Sequence, residues 1–155
     1  MLRAARGQQH TPNAKRLWNV VVFSVGGMTL AARTEDVEEV SSWGETIPVP
    51  SRTPFVQAML KRNNHVMPVY DLAARLNRAV QGAPLLCLVA RHLDGPMALC
   101  IDAAVPSLHA VNPAEIRPNN SGDIESLGLV TIGALDVAIV ALQQLGRLRQ
   151  DTVSS

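Results

Sequence analysis

The sequence predicts a mainly β fold made of two pseudo-equivalent halves, and three observations carry that expectation. Gly26-Gly27 separates two runs, residues 19–25 (NVVVFSV) and 28–32 (MTLAA), that are nearly apolar on both faces. Two adjacent glycines supply the positive φ values that a tight hairpin turn needs. A second pair of apolar runs, residues 85–90 and 97–102, flanks a turn around Asp94-Gly95. Residues 138–145 echo residues 67–76, since each is a strand running into a brief amphipathic turn that ends in Leu. Each half thus opens on a hairpin and closes on a strand–turn unit, over about residues 17–82 and 83–146.

The bulk numbers fit one domain. The chain has 155 residues and 47% hydrophobic content, but only 3% aromatic residues, so its core has to come from Val, Leu, Ile, Ala and Met. Lys and Arg number 14 against 13 Asp and Glu, a net charge of +1, which offers no strong field to nucleic acid or an anionic membrane. Residues 1–16 (MLRAARGQQHTPNAKR) are basic and lack the apolar run of a secretory signal, so they read as a disordered tail. Residues 147–155 read as a second tail. No apolar run reaches the roughly 20 residues of a membrane helix, and Asp94 and Asp102 interrupt the most apolar region. The expectation is a soluble, cytoplasmic chain.

Taken in order, the first hairpin needs cover on both of its apolar faces. Residues 34–40 (TEDVEEV) predict a short helix, with Thr34 as N-cap, acids in the first turn, and Val37 and Val40 on one inner face. Trp43 reads as a lid on the apolar interior or as an exposed anchor. Pro48, Pro50 and Pro54 stiffen an extended entry that cannot be a central strand. Residues 55–60 offer a short apolar turn or helix, residues 61–65 (KRNNH) a polar bend, and residues 66–70 a strand with Pro68 inside it. Asp71 then opens an amphipathic turn through Leu72 and Leu76. Residues 81–84 (QGAP) break the halves apart. Cys87 and Cys100 lie almost symmetrically about the second turn, as buried thiols and near cross-strand neighbours. Residues 104–111 are extended, and residues 119–123 (NNSGD) mark a mobile loop.

Nothing in the sequence assembles a catalytic site. No Gly-x-Ser-x-Gly or phosphate loop is present, and His10, His65, His92 and His109 are scattered without metal-ligand spacing. His65 with Asp71 is a candidate pair, against which stands a bend histidine satisfying local backbone. The acids of residues 35–39 read as a solvated face, not a calcium site. Asp71 and Asp102 each end an apolar strand, where a carboxylate accepts backbone N–H groups. The expectation is no enzyme, no metal and no cofactor.

Residues 58–72 (AMLKRNNHVMPVYDL) resemble the core signature of the CheW family, the adaptor domains of bacterial chemosensory arrays: Gly-x-x-x-x-Arg-Gly-x-x-x-Pro-Val-x-Asp-Leu. Pro68, Val69, Asp71 and Leu72 match, while Ala58, Asn63 and Asn64 replace the first glycine, the arginine and the second glycine. Residues 37–40 (VEEV), 102–105 (DAAV) and 116–118 (IRP) resemble further family segments, so the likeness covers about residues 20–145. Ala141 stands where many members carry a second aspartate. The resemblance implies two small five-stranded SH3-like barrels sharing a core. It implies a scaffold linking the regulatory domain of a CheA-type histidine kinase to a methyl-accepting chemoreceptor tip, for chemotaxis or pilus-driven twitching. Receptor contact would fall on Val37, Glu39, Asn63 and Leu85, with Pro68, Asp71, Leu72 and Asp102 as the structural signature. Asn63 lacks the charge and forked donors of arginine, and Arg62 beside it is expected to point elsewhere, so receptor binding is expected to be weak and kinase binding intact. A module sensing a small ligand in the groove between the halves is the alternative.

Overall fold

The computed structural model describes residues 16–62, 64–119 and 124–146; the two tails, Asn63 and most of the polar loop expected at 119–123 lie outside the described residues. The first half contains β1 (Trp18–Val25), β2 (Met28–Arg33), β3 (Val37–Ser42), β4 (Glu45–Pro48), β5 (Val56–Arg62), β6 (His65–Tyr70) and the single-turn helix α1 (Leu72–Arg75). The second contains β7 (Leu86–His92), β8 (Gly95–Ile101), β9 (Ser107–Val111), β10 (Ser126–Ile132), β11 (Leu135–Val140) and a 3-10 turn at Leu142–Gln144. These strands form two sheets, ordered β9-β1-β2-β11-β10 and β3-β7-β8-β6-β5-β4.

The two orders are the same path. In each, a hairpin sits centrally, one of its strands pairs antiparallel with an edge strand (β1 with β9, β7 with β3) and the other pairs parallel with a strand of another hairpin (β2 with β11, β8 with β6). The two sheets thus repeat one strand order, and each draws strands from both sides of residues 82/83. Each half gives its first hairpin to the sheet of the other: β1–β2 joins β9–β11, and β7–β8 joins β3–β6. The two apolar faces of each hairpin explain the exchange. Val20 and Ala31 face one barrel with Val111, Val130, Val137 and Ile139, while Val21, Phe23, Val25, Leu30 and Ala32 face a shared core. In the other hairpin Cys87, Val89 and Ala98 face the second barrel with Leu60 and Val69, while Leu88, Ala90, Met97, Leu99 and Ile101 face the shared core. That core, completed by Tyr70, Leu72, Leu142 and Leu145, fills the space between the sheets.

Both turns hold as expected. Gly26 and Gly27 have φ of 59° and 82°, and Val25 pairs with Met28 across them. Three local expectations fail. Residues 34–40 are not a helix: Thr34–Asp36 form one 3-10 turn whose cap is Arg33, without a side-chain hydrogen bond, and Val37–Ser42 are β3. Pairing with β7 overrides the helical spacing of Val37 and Val40, and a bulge between Val37 and Glu39 hides the strand alternation. Val40 is consequently exposed, not inward. Residues 56–60 likewise belong to β5, with a bulge between Val56 and Ala58 masking its period. The second sheet also has six strands where five were expected, because the proline-rich entry adds β4 at the edge of β5.

Polar groups tie the halves together where strands end. Asp102, 4% exposed, accepts from the Gly26 and Gln81 N–H groups through Oδ1 and from Gly27 through Oδ2, each at 2.8 Å. Burial pushes its carboxyl up, but the N–H groups of Gly27, Gln81 and Gly26 outweigh burial and hold it below the ordinary 3.8. Asp71 caps α1, accepting from the Ala74 N–H at 3.0 Å. A third tie was not foreseen: Arg75 Nη1 donates to Glu125 Oε1 at 2.8 Å and to the Tyr70 hydroxyl at 2.7 Å, and Glu125 Oε2 accepts from the Gly146 N–H at 3.0 Å.

Candidate functional site

The face implied by the resemblance lies along β3 and the neighbouring rim of its barrel. Val37 packs against the shared core and pairs with Ala90; Glu39, exposed, pairs with Val89. Leu85 lies past the far end of β3, where its carbonyl accepts from the Trp43 N–H at 3.0 Å. Val37 and Leu85 are thus roughly 17 Å apart along the strand, at about 3.3 Å per residue. They line one edge and do not converge on a point. Trp43 is half-buried over the barrel interior beside Ala58 and Met67, the lid of the two readings.

Arg62 corrects the sequence reading. Its side chain does not point elsewhere: its guanidinium crosses from β5 to β3, where it pairs with Glu39 and donates to the Ser41 hydroxyl. The parity of β5 is the reason. Leu60 is fully buried in the barrel, and Arg62, two residues on, shares its face at the rim. The buried Leu60 was the available signal. Asn63, the position singled out for receptor contact, lies outside the described residues. Glu38, Glu39, Arg62, His65, Val66, Met67, Val89 and Pro96 border a cavity of about 330 Å³ at this barrel mouth. An acidic and basic rim over an apolar floor suits a partner side chain or loop of mixed character.

The other candidates sit in structural roles. Pro68 lies in β6 opposite Met59, Leu72 is 1% exposed in the shared core, and Asp71 and Asp102 are the cap and the tie described above. His65 and Asp71 stand at opposite ends of β6 and are not a pair. His92 uses both ring nitrogens on backbone, accepting at Nδ1 from the Asp94 N–H (3.0 Å) and donating from Nε2 to the Leu145 carbonyl (2.9 Å). Asp36, buried, accepts from Gln143 Nε2 at 2.8 Å; burial raises its carboxyl above the usual value, and the Gln143 bond opposes the rise. Cys87 and Cys100 are direct cross-strand partners with free thiols. Among the described residues no cluster of three or more His, Cys, Asp or Glu has metal-binding geometry, and no helix is long and apolar enough to cross a membrane.

Fold and rim together define a double-barrel β module with exchanged central hairpins. The model of the CheW-like domain matches residues 19–146, so the chain belongs to the CheW-like domain family. Among curated proteins, the probable chemotaxis protein CheW of Rhizobium etli is 26% identical over 139 residues, covering 87% of this chain and 89% of that one. Among solved structures, the scaffolding protein TtCheW of Thermoanaerobacter tengcongensis superposes with a TM-score of 0.70 at 18% identity, over 83% of this chain and 91% of that one. At that identity the structural match bears on the fold alone.

Proposed function

We propose that this chain is a non-enzymatic adaptor in a bacterial chemosensory pathway, coupling the regulatory domain of a CheA-type histidine kinase to the helical tip of a methyl-accepting chemoreceptor in the cytoplasm. The family match over residues 19–146 carries this reading. The barrel rim supports it: Val37, Glu39, Leu85 and Asn63 are the proposed receptor contacts, and Arg62 supplies the cation that Asn63 does not. A receptor tip offers carboxylates and backbone carbonyls, which a guanidinium meets with several charged donors, each contributing about 1.5–3 kcal/mol. Flagellar chemotaxis and twitching motility fit this chemistry equally.

The test is titration of the full chain against two purified partners, the kinase regulatory domain and a receptor-tip helical hairpin. Saturable one-to-one binding to both, with a ternary complex on mixing, is the expected result. Asn63→Arg adds a second cation and is expected to strengthen receptor binding by up to about tenfold, or 1.4 kcal/mol, with kinase affinity unchanged. Absence of binding to either partner would remove the adaptor reading.

A further inference from the structure

The proposed contact set leaves out the two cysteines, which the strand register places together. Cys87 on β7 and Cys100 on β8 are directly opposed, and both are free. Their hairpin closes over Leu93 and Asp94 on the pair His92↔Gly95. The closing pair of a two-residue hairpin exchanges backbone hydrogen bonds, and pair types alternate along an antiparallel ladder. Arg91↔Pro96, Val89↔Ala98 and Cys87↔Cys100 are therefore non-hydrogen-bonded pairs. Pro96 agrees, since a residue without an N–H is tolerated in this ladder only at such a site. Non-hydrogen-bonded partners have Cα atoms about 4.5 Å apart, inside the range of about 4.4–6.8 Å that a disulfide spans. Cys87 also pairs across β3–β7 with Ser41, whose hydroxyl accepts from the Arg62 guanidinium, so the cysteine adjoins the Arg62–Glu39 rim.

We propose that Cys87 and Cys100 form a reversible cross-strand disulfide under hydroperoxide, and that closing it moves Cys87 against its partner Ser41 and shifts the Arg62–Glu39 rim. The effect on partners rests on the reading of that rim as the receptor face; the disulfide itself does not. Cys100 is half-buried and Cys87 fully buried, so Cys100 meets the oxidant first. Its thiolate attacks a peroxide oxygen, the O–O bond breaks, and one water leaves a sulfenic acid. The deprotonated Cys87 then attacks the Cys100 sulfur, the S–S bond forms, and the hydroxyl departs as a second water. Two thiols give up two electrons and two protons, and one hydrogen peroxide becomes two waters. Burial pushes both thiols up to about 11. Oxidation is accordingly slow at neutral pH and speeds up about tenfold per pH unit below that value. A dithiol reductant reverses it.

The test treats the full chain with hydrogen peroxide, then unfolds it and counts alkylatable thiols by mass. The expected result is a fall from two thiols to none in a monomeric chain, reversed by dithiothreitol. The Arg62 Nε–H resonance is expected to move on oxidation of the native chain and to stay in place in oxidised Cys100→Ala; this readout needs no partner. Receptor-tip affinity is then expected to fall by about tenfold, the equivalent of one charged hydrogen bond. Two surviving thiols, or chains linked to one another, would overturn the disulfide. A disulfide with an unmoved Arg62 resonance would overturn the coupling. A moved resonance with unchanged affinity would leave the disulfide standing and overturn the rim as the receptor face.

Discussion

Arg62 and Ile132 occupy equivalent places at the ends of β5 and β10, each the last residue before a two-residue loop in sheets of the same strand order. Arg62 reaches across its barrel mouth to Glu39 and Ser41 on edge strand β3, whereas Ile132 packs into the apolar interior of the other barrel. The β9 edge of that other barrel offers Ser107 and His109, hydrogen-bonded to each other at 3.0 Å. A second pair of equivalent positions diverges in the reverse sense. The Phe55 carbonyl accepts from the Asp71 N–H and the Glu125 carbonyl from the Ala141 N–H, so the half with an aspartate cap has a phenylalanine where the half without one has a buried carboxylate. Shared apolar pattern thus builds both barrels, and a few polar residues then make one a rim and the other an anchor.

The anchor gives the largest expected effect. The Arg75 and Glu125 side chains are 9% and 2% exposed, and removing one partner strands the other charge in the core. Arg75→Met is expected to cost about 3–5 kcal/mol, read as a fall in the urea midpoint at unchanged slope. A loss under about 1 kcal/mol would mean that Glu125 finds another donor or water.

Asp102 comes next. Asp102→Ala leaves the N–H groups of Gly26, Gly27 and Gln81 without their acceptor and is expected to cost about 2–3 kcal/mol. Its carboxyl is held below the ordinary 3.8, so its contribution is complete above that value and is lost as pH falls through the lower, folded value. Asp36 acts with the opposite sign: its raised carboxyl stabilises most below 3.8, and that contribution is lost as pH rises through the raised value. Urea unfolding from about pH 3 to about pH 7 separates them. Asp102→Ala is expected to lessen the acid loss of stability, and Asp36→Asn to lessen the loss on going to neutral pH.

The smallest stability effect tests the difference between the two strand–turn units. Asp71 and Ala141 share a backbone conformation, φ −85° and ψ 83° against φ −82° and ψ 78°, but only Asp71 caps with its side chain. Asp71→Ala makes the first unit resemble the second and is expected to cost about 1 kcal/mol by thermal unfolding, the usual worth of such a cap. A cost near that of Asp102→Ala would show Asp71 acting beyond its own turn.

Much of this was legible because its causes are local. Gly26-Gly27, the doubly apolar runs around it, and the strand–Asp–Leu unit each state their own geometry. The strands β3 and β5 were hidden because bulges at Val37/Glu39 and Val56/Ala58 break the alternation that identifies a strand. Hairpin exchange was hidden because a run apolar on both faces shows that it is covered twice without showing by which half. Of the site, Glu39 and Val37 were placed from resemblance. The direction of Arg62 was hidden because it depends on the register of β5, whose residues 55–60 read as a turn or helix and whose end reads as part of the polar bend 61–65. The Arg75–Glu125 pair joins residues 50 apart, and no sequence spacing announces such a contact.

The central claim is that the charged barrel mouth is for binding and its apolar counterpart for stability. Parallel titration and urea unfolding of Arg62→Ala and Ile132→Ala test it most directly, with the receptor-tip hairpin as ligand. For Arg62→Ala the account predicts receptor affinity about tenfold weaker and stability within about 1 kcal/mol of the parent, since its ion pair is at the surface. For Ile132→Ala it predicts a stability loss of about 2 kcal/mol and unchanged affinity for the tip. Unchanged receptor affinity in Arg62→Ala, or equal loss of affinity in both variants, would contradict it.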